Sequence, residues 1–332
     1  MTKVEYGVPQ CSILGPLLFL IFINDLPGAT DLYVKLFADD TFLCAQNKDF
    51  TLLQNQVNSE LEKVFVWLAS NKLTLNIKKS KFMLFTKKQN VPNFSVKIDD
   101  NSLESCASYK YLGVVIDNKL NWGPHIEHTA PKIAKACGAL ARLRNCTNTD
   151  VLKNVFHALI HSYLRYGILI WGNASQSVLS PLQILLNKAV RIMTFAPYGN
   201  IDLNPAYDYL KILDVAQTYM LETGKFQYKF KKDLLPTEIG NYFKTSADRL
   251  IQHDYGLRSR NDNKAPRFFS CSKTVEKSIQ FNKGIQIWNA MPLDIKNSES
   301  LSIFKSSYKK FLYESDIDPN MFLNPTNLLL CS

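Results

Sequence analysis

No Cys-x-x-Cys pair occurs in the 332 residues; the seven cysteines (Cys11, Cys44, Cys106, Cys137, Cys146, Cys271 and Cys331) fall at irregular intervals. That argues against a disulfide framework and fits reduced thiols inside the cell, in cytoplasm and nucleus, rather than secretion. The apolar run near the start, ILGPLLFLIFI, has only eleven residues and is interrupted by Gly15 and Pro16, too short to span a bilayer. Glu5 dilutes the basic stretch that a secretory leader would need. The run is expected to be a buried helix with Pro16 in its first turn, where a missing N–H costs nothing. Repeats, low-complexity tracts, phosphate-cradling glycine loops and local Ser–His–Asp or Cys–His signatures are absent as well.

Carboxylates are outnumbered, 29 against 39 lysines and arginines, for a net charge of +10. Such a balance favours a polyanionic partner, nucleic acid or an anionic membrane surface, without choosing between them. With 46% hydrophobic residues the chain can build a sizeable core and two domains.

Up to about residue 120 the pattern is mixed. LYVKLFADDTFLCAQ reads as a hairpin with a polar bend. Leu53, Val57, Leu61, Val64 and Leu68 form the apolar stripe of an amphipathic helix. KSKFMLFT, FSVKIDD and YKYLGVVID read as short strands. The expected class is α+β, helices packed on an antiparallel sheet. From about residue 123 long helical periodicity takes over, in HIEHTAPKIAKACGALARL, DVLKNVFHALIHSYLRYGILIW and PLQILLNKAVRIMTFA, and the switch in period puts a boundary near Trp122 and Gly123. Closing helices are expected around IQIWNAMP and SIFKSSYKKFLY.

The chemistry concentrates in LFADDTFL, residues 36–43. Two adjacent aspartates would be costly on a buried strand. At a hairpin bend they meet solvent and cations, and their oxygens suit Mg²⁺, which binds through one or two carboxylates plus substrate phosphates. A plain turn is the alternative, since Asp is common there. The pair stands in ordered company: GVPQCSILGP upstream, NIKKSK and YLGVVID downstream. Together these resemble reverse transcriptases of non-LTR (LINE-type, jockey/CR1-like) retrotransposons: GVPQCSILGP their motif B, FADD their catalytic [YF]-x-D-D, NIKKSK their motif D and YLGVVID their primer-grip region. The closing WNAMPLDIKNSESLSIFKSSYKKFL resembles the tail of such elements, which disfavours a group II intron maturase, another family with an ADD motif.

The resemblance implies Asp39 as a metal ligand and Asp40 as a second carboxylate for Mg²⁺ (or Mn²⁺). It puts Phe37 beside the primer end, where ordinary strand packing is the alternative. Gln10, with Gly7 and Pro9, would lie near incoming nucleotide and template; Lys79 would meet pyrophosphate or act as general acid, while Lys78 and Lys81 read as a solvated face. RNA template, DNA primer and dNTP are the implied partners, with no membrane. Two departures stand out. Cys11 occupies the place where the family has glycine, and a side chain there would obstruct close approach. The motif A aspartate and the fingers are expected before residue 1, since Asp25 and Asp31 read as capping and turn residues. The expectation is a distal palm over 1–122, a helical thumb-like region over 123–232 and a C-terminal segment over 233–332, unable to polymerise by itself. A non-catalytic nucleic-acid-binding or scaffold protein derived from such an element is the alternative.

For nucleic-acid contact, Lys132, Lys135 and Arg142 share nearly one helix face, with Arg144 close behind; they could neutralise phosphates, or be a solvated face. YGLRSRNDNKAPRFF interleaves Arg258, Arg260, Lys264 and Arg267 with Tyr255 and Phe268, a composition suited to backbone contact and base stacking. Cys137, Cys146, His157 and His161 have loop lengths unlike zinc modules. Cys137 is expected in a helical core, and His125 and His128 on an exposed first helical turn.

Overall fold

The computed structural model describes residues 12–86, 88, 93–199, 201–241 and 283–314. The chain divides into two compact units, Met1–Tyr109 and Lys110–Ser332. The first is mixed helix and short strands: α1 (Gly15–Ile23), a 3₁₀ turn (Leu26–Ala29), β1 (Tyr33–Phe37), β2 (Asp40–Cys44), α2 (Phe50–Ser70), β3 (Lys81–Phe82), β4 (Lys97–Ile98), β5 (Asn101–Ser102) and β6 (Glu104–Ser105). Helix α2 forms where the apolar stripe predicts it. Leu53, Leu61 and Val64 are buried, and the Asp49 carboxylate caps its start by accepting from the N–H groups of Thr51 (2.8 Å) and Leu52 (2.9 Å). One face of α2 packs Leu61 with Leu32, Val96 and Ile98; the other packs Val64 with Ile23 and Leu26.

Two expectations are corrected in this unit. α1 is a helix with Pro16 in its first turn, but it is not buried. Leu17, Leu18, Leu20, Ile21 and Phe22 are exposed, Phe19 is half-buried, and only Gly15 and Ile23 are fully covered. The helix is apolar on every side, so one neighbouring surface can cover only a fraction of it. The second correction concerns the sheet. Among the described residues the strands form separate two-stranded pairs, β1–β2 and β4–β5 antiparallel and β3–β6 parallel, and no continuous antiparallel sheet. Strands of two residues, as in β3 to β6, offer too few ladder hydrogen bonds and too little apolar face to recruit a third neighbour.

The second unit opens with a hairpin, β7 (Ser108–Tyr111) and β8 (Val114–Asp117), and continues in helices. These are α3 (Gly123–Leu143), α4 (Thr149–Phe156), a π-helical turn (His157–His161), α5 (Ser162–Arg165), α6 (Ile168–Trp171), α7 (Gln176–Thr194), α8 (Asn204–Leu210), α9 (Val215–Lys231), α10 (Lys283–Ala290), α11 (Leu293–Lys296) and α12 (Leu301–Glu314). The periodicity of residues 150–171 predicts one helix. It is instead interrupted by the π turn and ends α5 before Gly167, whose φ of +65° an L side chain rarely adopts. One core joins these helices, with Cys137, Leu140, Phe156, Trp171, Leu186 and Phe304 fully buried. Among the described residues no helix is long and apolar enough to cross a membrane.

Candidate active site and nucleic-acid interface

The hairpin holding the acids is set by its neighbours. β1 and β2 pair from Tyr33↔Cys44 to Phe37↔Asp40, leaving Ala38 and Asp39 as a two-residue turn. Ala38 takes φ +50°, a strained geometry for a residue with a Cβ but one that suits the twist of a tight hairpin. Asp39 and Asp40 are both exposed. Phe37, paired with Asp40 across the bend, is 62% exposed, so the plainer alternative of a packed strand core does not describe it. An aromatic ring and two carboxylates therefore share one solvent-facing tip.

The entry to this hairpin is held by Glu60, a residue that periodicity places on the buried side of α2 and that sequence reasoning passed over. Its Oε2 accepts from the Thr30 hydroxyl (2.8 Å) and the Asp31 N–H (2.7 Å), and Lys63 donates to Oε1 (2.6 Å). These hydrogen bonds, that of Lys63 first, pull the carboxyl down to about 2. A buried glutamate on an otherwise apolar helix face is the signal that could have found it. Asp31 itself lies 3.5 Å from Lys63. Asp25 precedes the 3₁₀ turn, but the capping bond expected of its side chain is not made.

The donor chemistry at the tip, two carboxylates open to solvent, suits one Mg²⁺ or Mn²⁺ completed by water and substrate phosphates. Among the described residues no group of three or more His, Cys, Asp or Glu side chains is gathered to hold a metal. Cys137, Cys146, His157 and His161 are not gathered into such a group either. Cys137 is buried with its thiol on the Leu185 carbonyl, Cys146 is exposed, and the two imidazoles meet edge to face at 5.0 Å.

Lys79 sits exposed in a turn, with its N–H on the Asn76 side chain (3.2 Å). Lys81 pairs with Glu104 (3.0 Å) across β3 and β6. Gly7, Pro9, Gln10 and Cys11 lie outside the described residues, as do Arg258, Arg260, Lys264 and Arg267.

In the second unit Lys135 and Arg142 project from α3 into solvent, while Lys132 is half-buried. Arg144 packs its guanidinium on the Phe195 ring at 4.1 Å, a structural use of its charge. The YLGVVID stretch turns at Leu112 and Gly113, both left-handed with φ +44° and +81°. Tyr166 fastens that turn: its hydroxyl donates to the Leu112 carbonyl (2.5 Å), and a Cβ on Gly113 would lie 3.0 Å from its ring. The motif's aspartate, Asp117, is buried and wholly structural. Its carboxylate accepts from the N–H groups of Lys119, Asn121 and Trp122 at 2.8–3.2 Å, shaping the entry into α3. His125 contradicts the exposed first turn expected for it. It is buried against Trp171 at 5.4 Å, with Nδ1 accepting from the Val115 N–H (3.3 Å), because the β7–β8 hairpin folds back over the start of α3. His128 next to it is half-buried.

Residues 2–116 match the family model for Reverse transcriptase (RNA-dependent DNA polymerase), and the similar curated proteins are RNA-directed DNA polymerases of transposable elements. The chain is similar to the probable RNA-directed DNA polymerase from transposon BS of Drosophila melanogaster, with 29% identity over 58% of this chain and 22% of that protein. It is similar also to the RNA-directed DNA polymerase from mobile element jockey of the same organism, 27% identical over 65% of this chain and 25% of the relative. A Pol polyprotein from a type-1 retrotransposable element R1 of Nasonia vitripennis is 26% identical over 45% of this chain and 40% of its own length. The chain thus spans about a quarter or less of the length of the first two relatives. No solved structure matches it.

Proposed function

We propose that this chain is part of an RNA-directed DNA polymerase of a non-LTR retrotransposon, contributing residues to the nucleotidyl-transfer centre. Residues 1–122 act as distal palm, 123–232 as a thumb-like region and 233–332 as the C-terminal segment of the element's polyprotein. The carrying observation is the exposed tip bearing Phe37, Asp39 and Asp40 within the stretch that matches the family. In the intact polymerase the primer 3′-hydroxyl attacks the α-phosphate of a dNTP. The hydroxyl proton passes to solvent, the new P–O bond forms as the bond to the β-phosphate breaks, and pyrophosphate leaves. Asp39 and Asp40 would hold a Mg²⁺ ion, which would supply charge stabilisation to the reacting phosphate, while Phe37 packs beside the primer terminus and Lys79 meets the departing pyrophosphate. Gly7, Pro9 and Gln10 face nucleotide and template. RNA template and DNA primer are held through phosphate contacts by Lys132, Lys135 and Arg142, together with Arg258, Arg260 and Arg267.

A two-part experiment tests this. Mn²⁺ added to the isotopically labelled chain should broaden the resonances of Asp39 and Asp40 before any others, and Asp39→Ala should abolish that selectivity. A template–primer should bind with an affinity that falls as salt rises. Broadening spread over all carboxylates, together with no template–primer binding, would refute the proposal. The partial donor set at the tip favours one further reading, a non-catalytic nucleic-acid-binding protein derived from such an element. The purified chain is expected not to extend a primer alone; Mg²⁺-dependent extension that Asp39→Ala removes would overturn that expectation.

A further inference from the structure

A cavity of about 390 Å³ opens in the second unit between the β7–β8 turn, α3 and α5, lined by Lys110, Gly113, His125, Thr129, Lys132, Ser162, Tyr163 and Tyr166. Its lining holds two lysines and no carboxylate. The Lys132 ammonium stands 2.8 Å from His128 Nε2, which must therefore be the acceptor, and 5.7 Å from the centre of the Tyr163 ring. It is thus positioned by an imidazole and an aromatic face rather than neutralised by an acid. Tyr163 and Tyr166 are 40% and 56% exposed, so both rings can take a planar partner. His125 adds a buried donor. With Nδ1 occupied by the Val115 N–H, the neutral ring carries its proton on Nε2, and that nitrogen has no hydrogen-bond partner.

We propose that this cavity seats one nucleotide of a single-stranded polynucleotide, its phosphate between Lys110 and Lys132 and its base against Tyr163. The proposal rests on the polynucleotide-binding reading above and adds a discrete pocket to it. Cations beside exposed aromatic rings are the combination that holds single strands, through phosphate neutralisation and base stacking. A duplex keeps its bases stacked and offers none to the tyrosine. A free mononucleotide would find no cradle of backbone N–H groups here, so the strand's other contacts must supply the rest of the affinity. The lining residues lie far apart in sequence, at 110, 132 and 163, and only the folded unit gathers them.

The test is fluorescence anisotropy of the full chain with labelled single-stranded RNA and DNA of about 12 nucleotides, with a duplex of equal length and a nucleoside monophosphate as competitors, across a salt series. Tyr163→Leu should weaken single-strand binding roughly five- to hundredfold with the salt dependence unchanged. Tyr163→Phe, which keeps the ring and guards against misfolding, should bind as the wild type does. Lys110→Ala and Lys132→Ala should each weaken binding and lower the slope of log affinity against log salt by about 0.7. If Lys132→Ala and Lys135→Ala weaken binding while the Lys110 and Tyr163 variants are silent, the pocket is overturned and the diffuse phosphate contacts of the proposed function stand. A monophosphate that displaces the labelled strand as well as an unlabelled single strand does, or a loss of duplex binding in Tyr163→Leu as large as the loss of single-strand binding, also overturns the assignment. Absence of binding by any strand overturns both.

Discussion

Protonation of His125 should unfold the second unit from the acid side. The ring is buried beside Trp171. Removal from water, followed by the charges of His128 and Lys132, pushes it from an ordinary 6.5 down to about 4. Because the folded value lies below the unfolded one, the unfolded chain takes up the proton first. The stability tied to the neutral ring is fully present above about pH 6.5, falls as the pH drops, and is gone below about pH 4. The gap of roughly 2.5 units corresponds to about 3 kcal/mol over the whole range, and to about 2 kcal/mol between pH 6.5 and pH 5. That is a large share of the 5–15 kcal/mol that holds an ordinary domain together. Urea denaturation at about pH 7.5 and pH 5, followed by tryptophan fluorescence, measures it. His161 is also pushed to about 4, chiefly by burial, and titrates in the same window, so the comparison must be with a variant. His125→Asn keeps an acceptor for the Val115 N–H and cannot take up a proton. It should be less stable than wild type at neutral pH and lose about 2 kcal/mol less on acidification to pH 5. Equal acid sensitivity of the two proteins would refute the reasoning.

Gly113→Ala should destabilise the second unit by about 1–2 kcal/mol for its left-handed backbone, and by more if the Tyr166 ring, 3.0 Å from the new Cβ, cannot yield; an unchanged urea midpoint would contradict it. Tyr166→Phe removes the bond to the Leu112 carbonyl at a half-exposed site and should cost about 0.5–1.5 kcal/mol in the same assay. Loss of the α2 cap in Asp49→Ala should lower thermal stability of the first unit by about 1 kcal/mol. Leu17→Gln and Ile21→Gln, at positions 55% and 65% exposed, should change stability by less than about 0.5 kcal/mol and reduce self-association in sedimentation, because they remove apolar surface that meets water.

What could be read from the sequence was whatever one short stretch determines by itself. The apolar stripe of α2 names its own buried face. The bend at Ala38 and Asp39 follows from two carboxylates that no buried strand tolerates, and both are exposed. Lys135 and Arg142 emerge on the solvent side of α3 as their spacing implies. Whatever depends on a distant partner was hidden. Helix α1 is apolar enough for any core, yet its exposure depends on what stands beside it. His125 sits in a polar first turn, yet a hairpin ten residues earlier covers it. Glu60 falls on the apolar face of α2 by its spacing, but its partners Thr30 and Asp31, some thirty residues earlier, come to it only in the fold.

The π turn is the instructive intermediate case, for its signal was present in the spacing. Leu152, Phe156, Ile160, Leu164 and Ile168 are all buried, and each follows the last by four residues. In a helix of 3.6 residues per turn every step of four overshoots a full turn by about 40°, so five such residues would wind round the helix and off the core face. Wider winding over His157–His161 returns the stripe toward the core, since a π turn takes more residues than an α turn. The widening also sets the direction in which α5 leaves, and α5 carries Ser162 and Tyr163 in the pocket lining. An unbroken run of fours therefore asks for an extra residue somewhere along the helix, and here that residue is placed just ahead of the side chains proposed to hold a nucleotide.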